Sequence, residues 1–137
     1  MAAIGGPIVV GYVDTPEGKA ALERAVLEAQ QRSARLIVIN SQKGGASLTS
    51  DHAVELDEAL GRAHDQLHAT GVEHEVRQLV RGSDPSDDLI AVAEEVDADL
   101  IVIGLRRRTP VGKLILGSNA QSILLDASCP VLAVKAL

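Results

Sequence analysis

The run "DLIVIG" at 99–104 is apolar on both sides of its alternation, so a strand made from it has no face to give to water. Such a strand belongs in the middle of a parallel sheet with helices covering both faces. "PIVVGYV" (7–13), "RLIVIN" (35–40) and "PVLAV" (130–134) share that character, being short, apolar and rich in β-branched residues. Pro7 opens its run, a position where a strand tolerates proline. "VEHEVRQLV" (72–80) differs, because Val72, Val76 and Val80 alternate with Glu73, Glu75 and Arg77. A strand with so many charges is expected at a sheet edge.

Between these runs the apolar spacing turns helical. Thr15-Pro16 predicts an N-cap followed by N1, and Leu22, Ala25, Val26 and Ala29 then form one face. After the polar loop "SQKGGASLTS", Leu56, Leu60, Ala63 and Leu67 mark a second helix. Asp84-Pro85 opens a third, with Leu89, Ala93 and Val96 inward. A fourth starts near Ser118, with Ala120, Ile123, Leu124 and Ala127 on one side. Strands separated by helices require right-handed crossovers and a covered parallel sheet. The expected fold is α/β: one domain over residues 1–137, with an open five-stranded parallel sheet of order 3-2-1-4-5 and helices on both faces. No internal repeat, low-complexity segment or dividing linker interrupts it.

Composition narrows the partners. Apolar residues make up 46% of the chain, but Phe and Trp are absent and Tyr12 is the only aromatic, so the core must be aliphatic. The stacking platforms of single-strand nucleic-acid binders are therefore missing. A net charge of −6 argues against a general nucleic-acid partner, and attraction for anions has to be local. Cys129 is the single cysteine, consistent with a reducing compartment. The opening "MAAIGGPIVVGYVD" lacks a basic segment followed by a long apolar run, and no apolar run approaches the roughly 18 residues of a membrane span. A cytoplasmic protein without membrane contact is expected.

In open parallel sheets, ligands bind beyond the carboxyl ends of the strands, where the strand order reverses. Here those ends are Tyr12, Val13 and Asp14 on the first strand and Ile103-Gly104 on the fourth. The fourth leads into "GLRRRTPVGKLILGSNAQ" (104–121). This is not a Walker A loop, because seven residues separate Gly104 from Gly112 and Leu114 follows Lys113. The first turn, "GYVDTPEG", lacks the glycine spacing of a dinucleotide fingerprint. What remains is Gly117 before a helix, where an anion can approach the backbone. Ser118, Asn119 and Ala120 would offer N–H groups at the helix's positive end, and the Ser118 hydroxyl another donor. Arg106, Arg107, Arg108 and Lys113 would add positive charge, making a pocket for a di- or triphosphate. Ser118 and Gln121 equally fit a capping box, which needs no ligand.

Nearly the whole chain resembles a single-domain member of the universal stress protein (UspA) superfamily. The resemblance is carried by "IVVGYVDTPEGKAALERA", "DADLIVIGLRRRTPVGKLILGSNAQSIL" and the ending "CPVLAVK". The family's ATP-binding signature, G-x2-G-x9-G-[ST], maps onto Gly104, Gly117 and Ser118 at intact spacing. Arg107 stands where the second glycine would be, and Val13 where the family carries an acidic residue, with Asp14 beside it. Arg107 either blocks the backbone's approach to phosphate or grips the phosphate itself. The resemblance implies a Rossmann-like fold of the adenine-nucleotide-alpha-hydrolase type. It also implies an adenine pocket between the first two strands, formed by Tyr12, Val13, Asn40 and Ser41 with Ile103 beneath the ring.

Other candidates carry less. His64 and His68 stand at i, i+4, a spacing that can hold a metal, but they lack a third ligand and read as a solvated helix face. The carboxylates Asp51, Glu55, Asp57 and Glu58 read the same way, and Cys129 as a small buried residue. The last strand, Val131, Leu132, Ala133 and Val134, is an apolar edge guarded only by Lys135. Such an edge is expected to pair with its mate in a homodimer, a contact the resemblance also implies. The expected function is stress-response regulation through binding of ATP, with Mg²⁺ arriving on the nucleotide, or of AMP or ADP. Catalysis would be at most weak ATP hydrolysis, since no general base stands out. The alternative is a dimeric interaction protein that binds no nucleotide.

Overall fold

The computed structural model describes residues 6–13, 15–42, 50–80, 84–105 and 117–136. The elements run β1 (Ile8–Gly11), α1 (Pro16–Arg32), β2 (Leu36–Gln42), α2 (Ser50–Thr70), β3 (His74–Val80), α3 (Pro85–Glu95), β4 (Leu100–Leu105), α4 (Ser118–Asp126) and β5 (Val131–Lys135). The sheet order is β3-β2-β1-β4-β5 and every pairing is parallel. The expected fold is therefore the observed one, with β1 central between β2 and β4.

Period-two alternation sorts the strand residues onto two cores. Ile8, Val10, Leu36, Val38, Leu100 and Val102 pack against α1 and α2. Val9, Ile37, Ile39, Ile101 and Ile103 pack against α3 and α4. With no Phe or Trp to fill space, α1 comes close to the sheet on the buried alanines Ala21, Ala25 and Ala29.

The α1 start follows the expected chemistry: Thr15 is extended, its hydroxyl accepts from the Gly18 N–H at 3.1 Å, and Pro16 is N1. Asp84 and Pro85 take the same N-cap and N1 places in α3, but the expected cap is only positional, because the Asp84 side chain makes no capping hydrogen bond. β3 starts at His74, two residues later than the alternation implied. The Val72 N–H donates to the Thr70 hydroxyl at 3.2 Å, and Gly71 has a positive φ of 74°, so turn chemistry occupies the residues before the strand. On this edge strand Arg77 and Glu75 form an ion pair at 2.7 Å, and the Arg77 guanidinium holds the Glu75 carboxyl below its ordinary range.

Candidate ligand-binding crevice

Three strand ends and three helix starts converge where the strand order reverses. Beyond the carboxyl ends of β2, β1 and β4 lies a cavity of about 340 Å³. Tyr12, Val13, Ser41, Ile103, Gly104, Gly117 and Asn119, all singled out from sequence, line it together. Asp14, Arg106, Arg107 and Lys113, and with them Arg108, lie outside the described residues.

Asn40 is not on the lining. Its amide donates to the Tyr12 carbonyl at 2.9 Å, buried on the opposite side of β2 from Ser41. The Tyr12 N–H in turn donates to the Ile39 carbonyl at 2.9 Å, so the end of β1 is tied to β2 from both directions. Consecutive strand residues face opposite sides, which separates Asn40 from Ser41.

The start of α4 requires a correction. Ser118 is not the N-cap: the cap is Gly117 at φ −65°, ψ 160°, and no side chain caps the helix. The Gln121 N–H donates to the Gly117 carbonyl at 3.0 Å, so the helical ladder begins one residue before the capping-box frame. The box S-x-x-Q therefore does not form. The N–H groups of Ser118, Asn119 and Ala120 have no acceptor within the helix, as the first-turn donors of any helix do not. Gly117, Asn119 and Ala120 line the crevice, whereas the Ser118 side chain is exposed and off the lining.

Glycine enters the site in two different ways. A Cβ on Gly104 would collide with the Glu17 carbonyl oxygen, and one on Gly18 with the Val13 carbonyl oxygen. These glycines let the first turn of α1 close onto β4 and onto its own leading turn. Among the described residues, a Cβ on Gly117 would meet no atom within 4 Å. Its missing side chain leaves open space at the crevice wall.

Sequence reasoning missed Thr15, Glu17 and Gly18 from the α1 start, and Pro85, Ser86 and Leu89 from α3. Gly18 carried a signal, because a glycine in a helix interior costs about 1 kcal/mol against alanine and so calls for a packing reason. The α3 residues carried none, since only the crossover brings that helix end over the strand ends.

The histidines also rearrange. His64 meets His74, not His68, with Nδ1 to Nε2 at 3.3 Å and the rings edge to face at 5.0 Å. Among the described residues no three His, Cys, Asp or Glu side chains gather as metal ligands. Cys129 is half-buried, and burial together with the Asp99 charge pushes its thiol up, away from a reactive thiolate. No helix among the described residues is long and apolar enough to cross a membrane.

Strand order and crevice together define an open doubly wound α/β domain with its ligand space at the switch point. The universal stress protein family model matches residues 6–135, and the chain belongs to that family. A universal stress protein of Mycolicibacterium smegmatis is 45% identical over 131 residues, covering 93% of this chain and 96% of that protein. A universal stress protein of Archaeoglobus fulgidus aligns with a TM-score of 0.84 at 39% identity, over 96% of this chain and all of the other (100%). The structure of an A. fulgidus universal stress protein in complex with dAMP aligns with a TM-score of 0.78 at 34% identity, over 96% of this chain and 99% of that one.

Proposed function

We propose that this chain binds an adenine nucleotide in the crevice and acts as a stress-response regulator with little or no catalysis. The observation that carries the reading is the start of α4. A helix N-terminus with no side-chain cap opens on the cavity, with Gly117 leaving room for an anion beside the first-turn N–H groups. Phosphate at that end directs the base across β1 toward Ile39 and Ser41, over Ile103. The connection carrying Arg106, Arg107 and Lys113 joins β4 to α4, and the ends it joins both line the crevice. Its charges would neutralise a polyphosphate in an otherwise acidic protein. The dAMP complex of the A. fulgidus relative supports the adenine assignment. ATP, with Mg²⁺ bound to its phosphates, is the proposed physiological ligand, and AMP or ADP would occupy the same base and first-phosphate positions. Asn40 and Ser118 belong to the proposed site by their places in the family pattern, and Asp14 as the carboxylate beside Val13, where the family carries an acidic residue; Asn40 acts there by fixing the Tyr12 backbone. Calorimetry with ATP and Mg²⁺ tests the reading: a saturable isotherm is expected, and no heat at millimolar ATP overturns it in favour of a nucleotide-free interaction protein.

We further propose a cytoplasmic homodimer formed through β5. This strand is an edge of the sheet, and Leu124 and Leu125 on the preceding helix are exposed, Leu125 to 82%. The Ile101 N–H donates to the Pro130 carbonyl at 3.0 Å, which sets the phase of the parallel ladder. In that phase the Leu132 N–H faces β4 and the Ala133 N–H faces outward. Ala133→Pro therefore removes a donor the partner would need while sparing the ladder to β4. Light scattering is expected to show monomers for this variant and dimers for the wild type. A variant that stays dimeric rules out the β5 contact.

A further inference from the structure

A hydroxyl whose proton is already committed can only accept a hydrogen bond. Ser41 stands at the carboxyl end of β2 on the crevice wall, and its Oγ donates to Asp88 Oδ2 at 2.5 Å. Both residues are buried, at 8% and 3% exposure. Chemistry fixes the direction of the bond, because a carboxylate offers only acceptors and a serine hydroxyl has a single proton. Asp88 lies in the first turn of α3, where the helix dipole favours a negative charge, and it stands behind Ser41, off the lining. By strand alternation Ser41 shares a side with Ile37 and Ile39, the side that packs on α3. What the Ser41 hydroxyl shows the crevice is therefore lone pairs and no donor. Ile39, Pro85 and Leu89 around it are apolar, and the nearby Ser86 hydroxyl can turn its proton either way, so it does not discriminate.

We propose that the Ser41–Asp88 pair selects the base: Ser41 Oγ accepts from an exocyclic amino group and rejects an oxo group in the same place. The proposal rests on the nucleotide reading above. With phosphate at the start of α4, beside β4, the base falls two strand spacings away, about 10 Å, at the end of β2. An amino group there completes Ser41's hydrogen bonding. An oxo group would set lone pairs against lone pairs, so neither oxygen gains a donor in place of the water it gives up.

ATP and ITP, which carry amino and oxo groups at the purine 6-position, separate the outcomes by calorimetry. Wild type is expected to bind ATP on the order of tenfold more tightly than ITP. Asp88→Asn gives Ser41 a donor to accept from and frees the hydroxyl proton to turn toward the base. The ratio should then fall to near unity or invert. Ser41→Ala, which lacks the oxygen, should also bring it near unity, while Ser41→Thr keeps the oxygen and should keep the preference. The ratio does not depend on the folded fraction of a preparation, so a merely structural role for the pair would leave it unchanged. Equal binding of ATP and ITP by wild type overturns the proposal but leaves the nucleotide reading standing. Binding of neither overturns both, and a wild-type preference that survives in Asp88→Asn and Ser41→Ala overturns the assignment to this pair.

Discussion

Gly104→Ala is expected to cost about 3 kcal/mol, because the added methyl has nowhere to go. The obstacle is the Glu17 carbonyl oxygen, a backbone atom in the first turn of α1, not a side chain that can swing aside. Moving it means lifting the start of α1 from β4, and that start is fixed by the Thr15 cap and by Pro16. For a domain of this size the loss corresponds to a fall in melting temperature of about 10 °C. A scanning-calorimetry shift of less than 2 °C would be incompatible with the close approach. The methyl also sits at the crevice, so ligand affinity should fall along with stability.

Gly117→Asp should separate what Gly104→Ala confounds. Gly117 has ordinary N-cap angles and no described atom within reach of a Cβ, so its backbone takes aspartate without strain. Aspartate is a better N-cap than glycine by a few tenths of a kcal/mol, and its charge suits the helix's positive end. The variant should therefore be slightly more stable than wild type. Its carboxylate would take the same N–H groups that a phosphate needs and would repel the phosphate's charge. Two lost charge-assisted hydrogen bonds amount to roughly 3 kcal/mol, or about a hundredfold weaker ATP binding. Urea denaturation and calorimetry on one preparation measure both effects. Undiminished ATP affinity in a stabilised variant would show that phosphate does not bind at α4.

The two glycines illustrate how far the sequence could be read. Gly104 and Gly117 share one spacing motif, yet packing alone accounts for a glycine at 104, whereas at 117 no described atom crowds a Cβ. Spacing identified both and could not tell their reasons apart. At Ser118 the residue types suited a capping box, but helix start frames shift by one residue at little local cost, and the structure begins the ladder at Gly117. Asn40 and Ser41 are neighbours in sequence at the end of β2, yet period-two alternation turns them to opposite sides and only Ser41 lines the crevice.

The succession of strands and helices along the chain was written in the sequence because it rests on local terms. β-branched runs, helical apolar spacing, the Thr15 cap and the prolines at the starts of α1 and α3 each act over a few residues. The two-sided apolarity of 99–104 placed β4 centrally for the same reason. Tertiary structure alone decided which distant groups meet. Ser41 and Asp88 are 47 residues apart and join only because a right-handed crossover lays the start of α3 over the end of β2. Glu17 presses on Gly104, and His64 finds His74 in place of His68, through the same kind of long-range packing. Such contacts depend on where whole elements come to rest, and no pattern confined to a few neighbouring residues encodes that.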